Sequence, residues 1–129
     1  MTFIRKLWPL LLTLPLVAQA QQAFPNRTIR LVVPYAAGGA GDGVARPLAQ
    51  RLSEILGQPV IVDNKPGANA TLGADLVAKS APDGYNIVLA AVVHYIVPLF
   101  SKNVPYDAMR DFTPIAPVVV LSLIHISEP

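Results

Sequence analysis

The sequence predicts an α/β fold built on a mostly parallel sheet. Short apolar, β-branched runs alternate with segments of helical period, and each small-residue, glycine-bearing stretch follows directly on a strand run. Strand, helix, strand, helix, strand in succession requires crossovers, and crossovers between parallel strands are right-handed.

Residues 23–28 form a polar, proline-containing lead-in. Ile29 to Pro34 reads as the first strand, because Ile29, Leu31, Val32 and Val33 make a short apolar run. Tyr35 to Gly43 is a small-residue loop that carries Gly38, Gly39, Gly41 and Gly43. The period changes at Val44: Val44, Leu48, Leu52, Ile55 and Leu56 share one helical face, and Gly57 and Pro59 end the helix. Pro47 falls near the start of that helix, where a missing N–H costs least.

Val60 to Val62 is a second buried strand, and Asp63 to Thr71 a second loop holding Asn64, Pro66, Gly67 and Asn69. Leu72 to Lys79 is a short helix with Leu72, Leu76 and Val77 turned inward. Ala81-Pro82-Asp83-Gly84 is turn chemistry, since proline pre-sets φ and glycine supplies a positive one. Ile87 to Val93 reads as the third strand, and Ile115 to Val120 as a fourth.

The two ends stand apart from this pattern. Arg5 and Lys6, the apolar run Leu7 to Val17 and then Ala18-Gln19-Ala20 make a secretory signal peptide over residues 1–20, cut after Ala20. That run is about half of the ~20 residues a bilayer crossing needs. No cysteine lies near the cut, so a lipid anchor is excluded. Leu121 to Pro129 reads as the translation of a sequencing-library adapter, which leaves residues 21–120 as the folded unit and sets His125 aside.

Charge narrows the function classes. The chain has 10 basic and 8 acidic residues, and removing Arg5 and Lys6 leaves 8 against 8. The excess therefore belongs to the leader, and no nucleic-acid partner is expected without a clustered basic face. With no cysteine and no histidine cluster, neither a disulfide framework nor a metal site is expected, and no cofactor motif is found.

The loop Pro34-Tyr35-Ala36-Ala37-Gly38-Gly39-Ala40-Gly41-Asp42 is the first place where chemistry gathers. Small residues let a ligand approach the backbone, and a helix start offers free N–H groups at its positive end, which together suit a carboxylate or phosphate. Asp42 alone reads as the N-cap of the helix. The loop as a whole reads as ligand binding, because four glycines exceed what a turn needs. A dinucleotide fingerprint starting at Gly39 and Gly41 would need a third glycine where Val44 stands, and no Gly-Lys-Ser/Thr follows for a P-loop.

Asn64-Lys65-Pro66-Gly67-Ala68-Asn69-Ala70-Thr71-Leu72-Gly73 repeats the logic, with Asn69 or Thr71 as the cap of the next helix. Lys65 would attract an anion, although a lone lysine is usually solvated. His94, beside Tyr95 and just past the third strand, either donates to a bound carboxylate or satisfies a local backbone group. The segment Pro105-Tyr106-Asp107 to Asp111-Phe112 reads as structural turns and caps. There is no Gly-x-Ser-x-Gly elbow, no carboxylate pair with an acid/base partner, and no histidine at suggestive spacing from Ser53, Ser80 or Ser101.

These residues, in this order, resemble the receptor family of tripartite tricarboxylate transporters, also called the Bug family. The resemblance rests on Pro-Tyr-x-x-Gly-Gly-x-x-Asp at 34–42, Gly-Gln-Pro-Val at 57–60 and Asn-Lys-Pro-Gly-Ala at 64–68. Ala-Pro-Asp-Gly-Tyr at 81–85 and Pro-Tyr-Asp with Asp-Phe-x-Pro-Ile at 105–115 complete it. Asn69-Ala70 departs from the Gly-Gly frequent in the family, and Pro47 stands where an ordinary helix former is usual.

The resemblance implies a periplasmic binding protein-like (type II) lobe, truncated here, in a two-lobed receptor. Such a receptor closes on a di- or tricarboxylate, an amino acid or an aromatic acid and hands it to the membrane subunits of the transporter. It implies that Tyr35, Ala36, Ala37, Gly38, Gly39 and Asp42, with Gly67, Ala68 and His94, contact that ligand, and that the protein is a periplasmic binding module with no catalysis. The alternative is a periplasmic α/β enzyme whose catalytic residues follow Val120. An effector-binding lobe of a transcription regulator would need a helix-turn-helix before residue 29, where the signal peptide stands.

Overall fold

Three extended segments pair in this computed structural model, which describes residues 24–120. They are β1 (Ile29–Val33), β2 (Val60–Asn64) and β3 (Asn86–Val88), in the order β2-β1-β3, with both pairings parallel. The expected leader at 1–20 and the stretch 121–129 lie outside the described residues. Ile29 pairs with Val60 and Val33 with Asn64, while Leu31 pairs with Ile87. A central parallel strand is covered on both faces, which is why β1 reads as an unbroken apolar run. Ile29, Leu31, Val32 and Val33 are all buried, with Val32 and Val33 wholly so.

Helix α1 (Ala40–Leu56) covers the face carrying Ile29, Leu31 and Val33. It begins four residues before the expected Val44, because Ala40, Gly41 and Gly43 carry no apolar period to announce it. Gly57 ends it as expected, with φ at 65° and its N–H donating to the Ser53 carbonyl at 3.0 Å. The packed face is Ala45 and Ala49 with Leu48, Leu52 and Leu56. Ile55 is 64% exposed and leaves the expected face. Pro47 lies inside the helix, not near its start, and on the exposed side.

Helix α2 (Thr71–Ala78) follows β2 and packs on β1 and β3. Its buried residues are Thr71, Gly73 and Ala74, whereas Leu72, expected inward, is 56% exposed and Leu76 and Val77 are half-buried. Small residues turn inward because the helix touches backbone. A Cβ on Gly73 would sit 3.0 Å from the Lys65 carbonyl oxygen and 3.2 Å from Pro34 Cα.

The third strand is shorter than its sequence suggests. β3 stops at Val88, and Val92 and Val93 open helix α3 (Val92–Phe100) instead of continuing the strand. Residues 115–120 form no strand, and Ile115 and Val120 are 80% and 90% exposed. Strand propensity is realised only against a partner edge, and these residues meet none among the described elements. The turn at Ala81 to Gly84 is as expected, with Gly84 at φ 81°. The 105–112 segment is also as expected: Asp107 accepts the N–H groups of Met109 and Arg110, and Asp111 accepts that of Asp107.

Candidate functional site

Every strand of the sheet points its carboxyl end the same way, so the segments 34–39, 65–70 and 89–91 gather at one rim. The chain leaves β1 for β2 on one side and returns to β3 on the other, which makes β1 and β3 the point where strand order reverses. Ligands of open α/β sheets sit at that point, beyond the carboxyl ends.

Each of the three segments runs into a helix, and none of the three helices has a side-chain cap. The N-cap positions are Gly39, Ala70 and Ala91, and no side-chain hydrogen bond caps any of them. This corrects the expected caps. Asp42 lies in the first turn of α1, not at its N-cap. Asn69 precedes the N-cap of α2, and Thr71 is its first helical residue, whose hydroxyl donates back to the Ala68 carbonyl at 2.7 Å. A helix start leaves its first N–H groups without intrahelical acceptors and carries a partial positive charge. Three such starts meet at one edge.

The first loop is held from below. Asp42 is buried, at 3% exposed, and its Oδ2 accepts the Gly38 N–H at 2.9 Å and Arg46 Nε at 2.8 Å. Its Oδ1 accepts from Asn64 Nδ2 at 3.0 Å, and the same nitrogen donates to the Tyr35 carbonyl at 3.1 Å. The Arg46 hydrogen bond first, then that of Gly38, hold the Asp42 carboxyl down to about 2, well under the ordinary carboxylate range. Tyr35 is half-buried, with burial raising its phenol pKa, and Ala36, Ala37, Gly38 and Gly39 are exposed. Among the described residues, the N–H groups of Ala36 and Ala37 meet no acceptor, while those of Gly38 and Gly39 are already engaged by Asp42 and the Ala36 carbonyl.

The second loop has an uncommon backbone. Ala68, Asn69 and Ala70 take φ values of 47°, 55° and 68°, and Gly67 precedes them at 130°. Left-handed backbone costs a non-glycine residue about 1–2 kcal/mol. Gly67 and Ala68 are exposed at the same rim as the first loop, because α2 starts against Pro34. Lys65 is turned to Asp63, 3.3 Å away, and Arg30 pairs with the same carboxylate.

His94 sits in the first turn of α3, not just past a strand, and is 5% exposed. Its ring stacks on Tyr106 with centroids 4.9 Å apart and meets Phe112 and Tyr95 edge-on at 4.6 and 5.0 Å. Burial lowers its pKa, so the imidazole is held neutral. The Tyr106 hydroxyl donates to the His94 carbonyl at 3.4 Å, and the pKa of Tyr106 is raised by burial and then by its neighbour Tyr35.

Two residues central to this geometry were not among the expected contacts. Arg46 is four positions after Asp42, a spacing that marks a helical pair in any sequence. Asn64 stood out in the second loop, but nothing local tied it to Tyr35 or Asp42, which lie 29 and 22 residues away.

An open, largely apolar groove of about 550 Å³ lies elsewhere, between α3 and the 101–109 segment, lined by residues such as Tyr95, Leu99, Tyr106 and Met109. None of the glycine loops lines it, and no helix start opens into it. Among the described residues no group of three or more His, Cys, Asp or Glu is placed to hold a metal, and no helix is long and apolar enough to cross a membrane.

A parallel α/β lobe with three helix starts at one rim is the architecture of a periplasmic binding protein, and solved structures of that class overlay on it. The periplasmic binding protein BugD matches with a TM-score of 0.69 at 43% identity, covering 71% of this chain and 31% of that one. MatC from Rhodopseudomonas palustris, solved with bound malate, matches with a TM-score of 0.68 at 41% identity, over 74% of this chain and 33% of its own. Residues 44–129 match the family described as tripartite tricarboxylate transporter family receptor. A UPF0065 protein of Bordetella bronchiseptica is 48% identical over 116 residues, 89% of this chain and 35% of that protein. Protein BugT of Bordetella pertussis is 38% identical over 108 residues, 82% of this chain and 33% of its own. The chain belongs to the tripartite tricarboxylate transporter receptor family. It spans about a third of the length of the curated relatives it matches.

Proposed function

We propose that this chain forms the ligand-gripping part of the first lobe of a periplasmic receptor that captures a small carboxylate for a tripartite tricarboxylate-type transporter. The observation that carries this reading is the convergence of three helix starts without side-chain caps on one sheet rim. At this exposed rim each start attracts an anion by about 0.3–1 kcal/mol, and the free N–H groups of Ala36 and Ala37 add directed donors.

Within this reading the residues divide their labour. Ala36, Ala37 and the first turn of α1 offer N–H groups to a carboxylate, and Tyr35 walls them. Gly38 and Gly39 supply close approach, while Asp42 shapes the loop from beneath. Gly67 and Ala68 form the opposing edge, and His94 backs the wall through its aromatic neighbours. Malate in the relative from Rhodopseudomonas palustris, and adipate in another solved relative, support a carboxylate over a neutral sugar and a receptor over an enzyme. A role without catalysis, delivery to membrane subunits, and secretion through a cleaved leader at 1–20 complete the proposal.

The test is calorimetry and thermal shift on the receptor expressed from its complete reading frame, against malate, adipate, citrate, glutamate and glucose. Binding confined to the carboxylates supports the reading, and binding of glucose alone overturns it.

A further inference from the structure

We propose that Asn64 is a positioning residue of this site, the side chain that ties the Tyr35 backbone and the Asp42 brace to the end of β2 and so gives the first loop the shape a carboxylate meets. The inference rests on the function proposed above. Asn64 closes β2 opposite Val33, and Lys65 continues the ladder with its N–H on the Val33 carbonyl at 2.8 Å, so the Asn64 backbone is fixed by the sheet. From that fixed point its Nδ2 gives one hydrogen to the Tyr35 carbonyl at 3.1 Å and one to Asp42 Oδ1 at 3.0 Å. Both partners are acceptors only, so the orientation of the amide is settled by chemistry.

The bond to Asp42 does not end there. Asp42 Oδ2 takes the N–H of Gly38, so a continuous chain of bonds runs from β2 through Asn64 and Asp42 into the middle of the loop. Arg46 completes the carboxylate from the solvent side, with a side chain 61% exposed. Beyond Tyr35 the loop is alanine and glycine, with at most a methyl group to pack, and Gly38 is in the left-handed region at φ 80°. Without an external clamp such a segment samples many shapes, and a ligand must then meet the ordering cost. Asn64 removes that cost in advance.

The discriminating variants are Asn64→Ala and Asn64→Asp in the receptor from its complete reading frame. They are read by calorimetry with malate, by exchange of the Gly38 amide in NMR, and by Tm. Asn64→Ala is expected to weaken malate about tenfold or more and to speed Gly38 exchange by a similar factor. Asn64→Asp faces two acceptors and can donate only when protonated. Relative to the unsubstituted protein at the same pH, its malate affinity and Gly38 exchange should be impaired at about pH 8 and recover towards pH 5. A merely structural residue would lower Tm without that recovery, and this result overturns the proposal. So does malate affinity and Gly38 exchange unchanged in both variants. If Asn64→Ala fails to fold, the pH series of Asn64→Asp decides alone. If the unsubstituted receptor binds no carboxylate, the functional reading falls by itself, and Gly38 exchange then decides the clamp: faster in Asn64→Ala upholds it, unchanged overturns it.

Discussion

Arg46 Nε lies 2.8 Å from Asp42 Oδ2, one helical turn away on α1, so the buried carboxylate beneath the first loop faces a guanidinium in the outer layer. The pair puts a carboxyl of lowered pKa beside the exposed backbone of Ala36 to Gly39.

A pH dependence follows in the acid range. Asp42 has its folded pKa lowered to about 2 from 3.8, chiefly by Arg46 and then Gly38, so its contribution to stability is complete above the unfolded value and is lost as pH falls towards about 2. Asp42→Asn should flatten the fall in Tm between about pH 4 and pH 2. Parallel slopes for the two proteins, in a thermal unfolding series, would contradict it.

His94 defines a second, separate window. Burial lowers its folded pKa below 6.5, so the unfolded chain takes up the proton first and stability declines as pH falls through about 6.5. His94→Phe keeps the aromatic packing with Tyr106 and Phe112 and should remove the part of the Tm decline that begins as pH falls through about 6.5. An unchanged decline would assign it to other groups.

Two helical glycines should respond in opposite directions. Gly73→Ala places a methyl 3.0 Å from the Lys65 carbonyl, against backbone that cannot rotate away, so overpacking of about 2 kcal/mol outweighs a helix-propensity gain of about 1 kcal/mol. Gly43→Ala meets nothing within 4 Å and should stabilise by about 0.5–1 kcal/mol. Urea unfolding of the two variants gives both signs in one experiment.

Tyr85 ties the lead-in to the body of the lobe. Its hydroxyl accepts the Asn26 N–H at 3.0 Å and donates to Asn26 Oδ1 at 2.8 Å, while Arg27 lies 4.1 Å over its ring and pairs with Asp83. Tyr85→Phe should cost about 1 kcal/mol or less and speed proteolysis at residues 24–28, with the sheet unaffected. Cleavage there at an unchanged rate would show that the ring and Arg27 hold the segment without the hydroxyl.

What the sequence determined by itself is what neighbours in the chain decide. The run Ile29 to Val33, the left-handed stop at Gly57 and the turn at Gly84 are set by β-branching and by φ values that only a few residue types adopt. The alternation of strands and helices followed from the same local rules, and with it the gathering of the glycine loops at one rim. Tertiary structure decided where partners come from far away. Val92 and Val93 have strand character but lie beyond the reach of the β1 edge, so they join α3. Asp42 reads as a cap, yet the helix already starts at Ala40, and the carboxylate braces Gly38 while also meeting Asn64, 22 residues on. Leaving a buried carboxylate oxygen unsatisfied costs about 1–3 kcal/mol, so the contact with Asn64 is set by where the fold brings β2 and not by the residues next to Asp42 in the chain.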